Sequence, residues 1–306
     1  MFPSFLTPVL LLVFNRPDQT EALIATLRGI RPARVYVHAD GARAHVSGES
    51  EKVAAVREII EQIDWPCAVE TLYRNENKGL RAGVFGALEW FFEQEEQGII
   101  LEDDCLPDTT FFPFCAELLE RYAENHEVMH IGGSNVAEKQ TRHLPESYFF
   151  TKFSFVWGWA TWRRAWQKMR LDLDGLAAFE AADSLANTLQ NPMARAYLYD
   201  KFRATQSKQN NSWAYAWFYS ILINKGLCIV PTRNLVQNTG IGDPNATHTQ
   251  KADPRAAMRA GSLTFPLQHP THQAVMPSLE QPLFYAAQKS RIRLTLWFLL
   301  LKLGLR

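Results

Sequence analysis

Apolar positions in the first third of the chain follow two alternating patterns. Pro8–Phe14 (PVLLLVF) and Ala33–Ala39 (ARVYVHA) are runs with little polar interruption, which predicts strands buried on both faces. Ala68–Tyr73 and Ile99–Leu101 read as a third and a fourth strand. Between the strands the apolar spacing lengthens to three and four residues: Leu23, Leu27 and Ile30; Val53, Val56, Ile60 and Ile63; then Leu80, Val84, Leu88 and Phe91, stopped at Gly98. These are helix faces, the first expected to be capped by Asp18. Alternation of strand and helix predicts an α/β fold with a mostly parallel twisted sheet flanked by helices.

The second half is less regular. A helix is expected from Asp108 through Leu118 and Tyr122, and a strand at Val128–Ile131 before Gly132-Gly133. Tyr148 to Trp166 is densely aromatic. Helices are expected over Leu173–Gln190, Met193–Ser207 and Trp213–Asn224, the last closed by Gly226, with a short strand at Leu227–Val230. Gly240 to Pro282, rich in Gly, Pro, Asn, His and Thr, reads as loop. Leu294–Leu305 is strongly apolar but only 12 residues long, where a membrane span needs roughly 20. Lys289, Arg291, Arg293, Lys302 and Arg306 flank or punctuate it. It suits a helix lying in an anionic membrane interface or, equally, one docked on the protein's own core.

Composition narrows the function classes. The 306 residues carry 32 Lys+Arg against 32 Asp+Glu, so nothing marks a nucleic-acid partner. Four cysteines without a CxxC pair exclude a zinc ribbon and a disulfide framework. The apolar run at 8–14 has no basic residue before it and no small-residue cleavage site after it, so it reads as a strand and not as a signal peptide.

Ligands of parallel α/β sheets sit beyond the carboxyl ends of the strands. The residues there are Asn15-Arg16, Asp40-Gly41, Arg74-Asn75 and Glu102-Asp103-Asp104. Three adjacent carboxylates repel one another and are best tolerated around a cation. Mg²⁺ or Mn²⁺, held by one or two carboxylates and substrate phosphates, is the expected cofactor; a solvated acidic turn is the plainer alternative. Asp40 is placed to bind a ribose hydroxyl or a base edge, though Asp-Gly is also an ordinary turn pair. Asn77, Lys78 and Arg81, with Gly79 and Gly83, stand at a helix start that attracts phosphate. His248 is a lone candidate metal ligand in the late polar loop. The tryptophans of residues 155–162 read either as core or as a wall for sugar stacking.

Taken in order, strand–Asn-Arg-Pro, strand–Asp-Gly, Asn-Lys-Gly-Leu-Arg and strand–Glu-Asp-Asp resemble the nucleotide-diphospho-sugar glycosyltransferases of the GT-A fold. The triplet is similar to the Glu-Asp-Asp form of the DxD motif in N-acetylglucosaminyltransferase I-like enzymes. Gly158–Trp162 and the stretch from Asn234 through His248 resemble bacterial sugar transferases and haemolysin-like proteins. The resemblance spans roughly residues 8–250. It implies a Rossmann-like nucleotide-sugar half over 1–130, an acceptor-side half over 131–250, an extended loop over 251–288 and a C-terminal helix over 289–306. It also implies that Asn15, Arg16 and Asp40 hold the nucleoside, that Asn77, Lys78 and Arg81 lie near the donor, and that Glu102 or Asp103 meets ribose or sugar hydroxyls. Asp104 and His248 would ligate the metal at the diphosphate. One departure stands out: where those enzymes place a carboxylate base, this chain has Trp213-Ala214-Tyr215-Ala216-Trp217. Asp243 is the nearest later acid, and inversion or retention stays open.

The leading expectation is a cytoplasmic, metal-dependent glycosyltransferase, peripheral at the inner membrane face through 289–306. It would move a sugar from a nucleotide-diphosphate donor, UDP favoured, to a saccharide or lipid-linked acceptor in bacterial surface glycan synthesis. A sugar-phosphate nucleotidyltransferase is the enzymatic alternative, disfavoured because Phe14-Asn15-Arg16-Pro17 contains no glycine. A non-catalytic carbohydrate-binding or assembly protein on a degenerate transferase fold is the third.

Overall fold

The computed structural model describes residues 5–241, 253–288 and 290–304. The first half alternates β1 (Val9–Val13), α1 (Pro17–Ile30), β2 (Arg34–Ala39), α2 (Glu49–Glu61), β3 (Ala68–Tyr73), α3 (Leu80–Gln94) and β4 (Gln97–Glu102). Then follow β5 (Cys105–Pro107), α4 (Phe111–Arg121), β6 (Val128–Gly132), α5 (Glu138–Thr141), β7 (Tyr148–Thr151), β8 (Trp159–Trp162) and α6 (Arg163–Trp166). The last part holds α7 (Leu176–Ala181), α8 (Pro192–Gln206), α9 (Trp213–Ile223), β9 (Leu227–Pro231), β10 (Val236–Asn238), α10 (Pro277–Ala286) and α11 (Arg291–Lys302).

Eight strands form one sheet in the order β3-β2-β1-β4-β8-β6-β9-β7. The first four are mutually parallel, and β6 pairs with β9 in parallel; β8 and β7 run against their neighbours. This is the mostly parallel α/β sheet that the alternating pattern predicts.

Side-chain alternation along β1 divides the core. Val9, Leu11 and Val13 join a cluster with α1, α2 and α4 on one face. Leu10 and Leu12 join α3 and the aromatic residues of α6 and α9 on the other. All five are buried, so β1 needs apolar residues at every position, unlike a strand with one wet face. A third cluster gathers α7, α8, α9 and α10 with Leu294 of α11.

Several expectations are corrected locally. The cap of α1 is Arg16, with Pro17 at the first helical position and Asp18 inside the first turn, where its charge favours the helix start. The helix expected over Leu173–Gln190 is only α7: Leu173 and Asp183 adopt positive φ, and Gly175 at φ 85° starts the short helix. The expected loop over 240–282 contains a 3₁₀ turn at Pro254–Ala257 and the start of α10, whose Pro277 occupies the first helical turn. Asn224, not Gly226, caps α9. In the aromatic stretch Trp159 and Trp162 are core, Trp159 stacking on His130 and Trp213.

Candidate functional site

Because β2, β1 and β4 lie side by side and parallel, their carboxyl ends open onto one cleft of about 1370 Å³. Its near wall carries Asn15, Arg16, His38, Asp40, Arg43, Asn77 and Glu102–Asp104. Its far wall comes from the second half and includes Trp157, Tyr197, Asp200, Trp213, Tyr215 and Arg255. A smaller depression of about 460 Å³ at Gln167–Asp174 contains none of the strand-end residues.

The acidic triplet is divided by geometry. Asp103 is buried: one oxygen accepts from the Phe14 backbone N–H at 3.2 Å and the other from Arg16 Nη1 at 2.9 Å. It ties the end of β1 to the end of β4. The same Arg16 nitrogen reaches Asp104 Oδ2 at 3.0 Å, so one guanidinium holds two carboxylates. Burial, joined by the Asp104 and Asp103 charges and opposed by Arg16, pushes the Glu102 carboxyl up to about 8. Burial likewise pushes Asp103 up to about 6, with Arg16 pulling the other way and Asp104 adding to the rise. Crowded, desolvated carboxylates of this kind favour an added positive charge.

Asp104 is positioned from the far side of the chain. The antiparallel pair β5–β10 sets Asn238 opposite Cys105. Asn238 Nδ2 then donates to Asp104 Oδ1 at 3.0 Å, and the Thr239 N–H donates to the Asp104 carbonyl at 2.8 Å. Gly240 passes so close that a Cβ there would lie 2.2 Å from Asp104 Oδ2. Among the described residues no group of three His, Cys, Asp or Glu side chains could by itself hold a metal ion. Glu102 and Asp104 are a partial set of hard oxygen donors, suited to a cation whose remaining ligands come from phosphate. His248 and Asp243 lie outside the described residues.

The nucleoside candidates also cluster, with different tasks from those expected. Asp40 accepts backbone N–H groups from Gly41, Lys78 and Gly79, each at 3.0 Å. It thereby shapes the turn before α3, where Gly79 takes φ 77°. Asn77 Nδ2 donates to the Gly41 carbonyl at 2.8 Å. Lys78 contributes its backbone N–H, while its amine pairs outward with Glu76. Arg81 turns away from the cleft: its guanidinium donates to the Leu171 carbonyl, Asp172 and the Thr205 carbonyl. It braces the second half and is not among the residues lining the cleft.

Sequence reasoning missed the anchor behind Asn15. Glu49, at the start of α2 and 2% exposed, accepts from Asn15 Nδ2 at 2.8 Å and from the backbone N–H and guanidinium of Arg43. Hydrogen bonding to Arg43 draws its carboxyl down to about 2. Nothing in the pattern Gly48-Glu49-Ser50 separates this glutamate from an ordinary acidic first turn. The far-wall residues Tyr197 and Asp200 were equally silent, because helix periodicity alone does not say which face meets a cleft, whereas Tyr215 belongs to the 213–217 segment that the resemblance sets beside the acceptor. Trp157 is the member of the tryptophan run on the cleft wall, with Arg255 over its ring at 5.0 Å.

No protein-family model matches the chain, and no curated protein matches it. Among solved structures, UDP-glucose pyrophosphorylase complexed with UDP-glucose is similar at 12% identity and a TM-score of 0.28, covering 53% of this chain and 70% of that one. The apo form of UDP-glucose pyrophosphorylase gives 10% identity and a TM-score of 0.24, covering 48% of this chain and 65% of that one. Likeness at this level fixes neither substrate nor reaction.

Proposed function

We propose that the chain is a metal-dependent glycosyltransferase of the GT-A type, using a nucleotide-diphosphate sugar, UDP favoured. The observation that carries this reading is the cleft at the ends of β2, β1 and β4. There Glu102 and the Asp103 and Asp104 carboxylates, the latter two bridged by Arg16, face the Asp40-ordered turn across a volume of about 1370 Å³. Small-molecule clefts run from about 300 to 1,000 Å³, so this one can admit a donor and part of an acceptor together.

Glu102 and Asp104 would hold a divalent cation, Mn²⁺ or Mg²⁺, with His248 as the further ligand proposed from sequence. When bound, the cation supplies Lewis-acid stabilisation of the charge on the departing nucleoside diphosphate. The chain's own residues prepare that event. Arg16 offsets the carboxylate repulsion, Asn238 and Thr239 aim Asp104, and Asn15 faces the nucleoside end of the cleft, held by Glu49. The Asp40 carboxylate is engaged by backbone N–H groups, so Asn77 and Asn15 are the freer contacts for a nucleoside. The aromatic far wall of Trp157, Trp213 and Tyr215 suits the apolar face of a saccharide acceptor. Asp243 remains the proposed base.

The test is release of UDP from UDP-sugars in Mn²⁺. Glu102→Gln and Asp104→Asn should each lower turnover by at least about a hundredfold while the fold persists. Consumption of UTP with a sugar 1-phosphate, releasing pyrophosphate, would instead establish nucleotidyl transfer and overturn the proposal.

A further inference from the structure

Helix α11 has two apolar sides. Leu294 is buried among α8 and α10 residues, and Trp297 packs edge-on against Tyr197 of α8 with ring centroids 6.2 Å apart. On the other side Ile292, Leu296, Leu299 and Leu303 follow at spacings of 4, 3 and 4, the repeat of a single helix face. At 3.6 residues per turn that face centres about 180° from Leu294. These four are 75, 56, 51 and 70% exposed. A helix that already has a core-facing anchor thus carries a second stripe with no cover from the described residues.

The charges around the stripe are of one sign. Arg291 and Lys302 flank it from one side and Arg293 from the other, and no acidic residue occurs after Glu280. The chain as a whole has 32 cationic and 32 acidic side chains, so the imbalance is local. Twelve residues span about 18 Å, short of the roughly 30 Å of bilayer hydrocarbon, and no described helix is long and apolar enough to cross a membrane. Leucines outward with cations at the flanks is the arrangement of a helix lying in the plane of a lipid surface.

We infer that α11 seats the protein on an anionic phospholipid bilayer through Ile292, Leu296, Leu299 and Leu303, with Arg291, Arg293 and Lys302 meeting the headgroups. The same helix lines the cleft from its inner side with Ser290, Arg293, Leu294 and Trp297. Seating therefore brings one rim of the cleft to the lipid surface, where an amphiphile could enter headgroup first while its chains stay in the bilayer. Only that last consequence, for a lipid-linked acceptor, rests on the transferase reading.

Flotation with phosphatidylcholine vesicles, with and without about one-third phosphatidylglycerol, tests the seating. The wild-type chain should float with the anionic vesicles, weakly with the neutral ones, and dissociate as salt rises. Leu296→Glu/Leu299→Glu should abolish flotation. Arg291→Glu/Lys302→Glu should weaken it by at least about 30-fold, from roughly fivefold per cation. All four sites are exposed, and circular dichroism of both variants verifies folding. UDP binding with Mn²⁺, measured separately, should be unchanged in the leucine variant, so failure of membrane seating and failure of the transferase reading are distinguishable. Equal flotation of wild type and folded variants overturns the inference. So does a concentration-dependent dimer that Leu296→Glu/Leu299→Glu dissolves, since the stripe would then be covered by a second copy.

Discussion

Replacing Glu49 by glutamine removes the charge that fixes the loop between β2 and α2. The wild-type carboxylate is buried and bound by Asn15 and Arg43, and its pKa falls from 4.5 to about 2. A shift of that size corresponds to about 3 kcal/mol by linkage. Arg43, however, is 41% exposed, so solvent screening lowers the expected contribution to about 2 kcal/mol. The sign follows from the depressed folded pKa: the contribution is complete above the unfolded value of 4.5 and is lost as pH falls through about 2. Urea unfolding of wild type and Glu49→Gln should therefore differ by about 2 kcal/mol near neutral pH, and by less than half of that near a pH of about 2.5. Asn15 should lose orientation at the same time, weakening nucleotide binding severalfold. A difference that is absent at neutral pH, or that does not shrink in acid, would refute the assignment of Glu49 as the charged anchor of this loop.

Other substitutions separate positioning from support. Gly240→Ala places a methyl group within 2.2 Å of Asp104 Oδ2 and should cost about 1–3 kcal/mol and weaken Mn²⁺-dependent nucleotide binding about tenfold, read by calorimetry and melting. Arg81→Met leaves the Leu171 and Thr205 carbonyls without their donor. It should destabilise by about 1–3 kcal/mol, yet leave nucleotide affinity of the folded protein unchanged; a lost affinity would return Arg81 to the donor site. Burial lowers His130 and His38 to about 4, so both stay neutral in the fold while their unfolded forms take up protons below about 6.5. Stability should accordingly fall as pH drops from 6.5 toward 4, and His130→Phe should remove about one proton from that slope.

The half of the molecule that was legible from sequence is the half whose physics is local. The runs at residues 8–14 and 33–39 have only one way to be buried on two faces, and parallel pairing then places their polar ends together. Asn15, Arg16, Asp40, Asn77 and the 102–104 triplet meet in one cleft for that reason. Their individual tasks were not legible. Whether Asp103 faces solvent or the Phe14 N–H depends on the pleat at the end of β4, and Asp40 serves the 77–79 turn because Gly41 and Glu76 run almost in contact. The three-residue ribbon β5–β10, which aims Asp104 through Asn238, joins segments more than 120 residues apart and leaves no periodic trace. Likewise, the sequence between Leu173 and Gln190 has helix-forming composition, but positive φ at Leu173 and Asp183 confines the helix to Leu176–Ala181.

Calorimetric titration of UDP, GDP and CDP, each with and without Mn²⁺, into wild type and Asp104→Ala tests the central claim most directly. The account predicts that one nucleotide, UDP, binds only with the metal and that the folded variant loses this binding. Absence of binding by any of the three to folded wild type, or metal-independent binding that Asp104→Ala leaves intact, would contradict it.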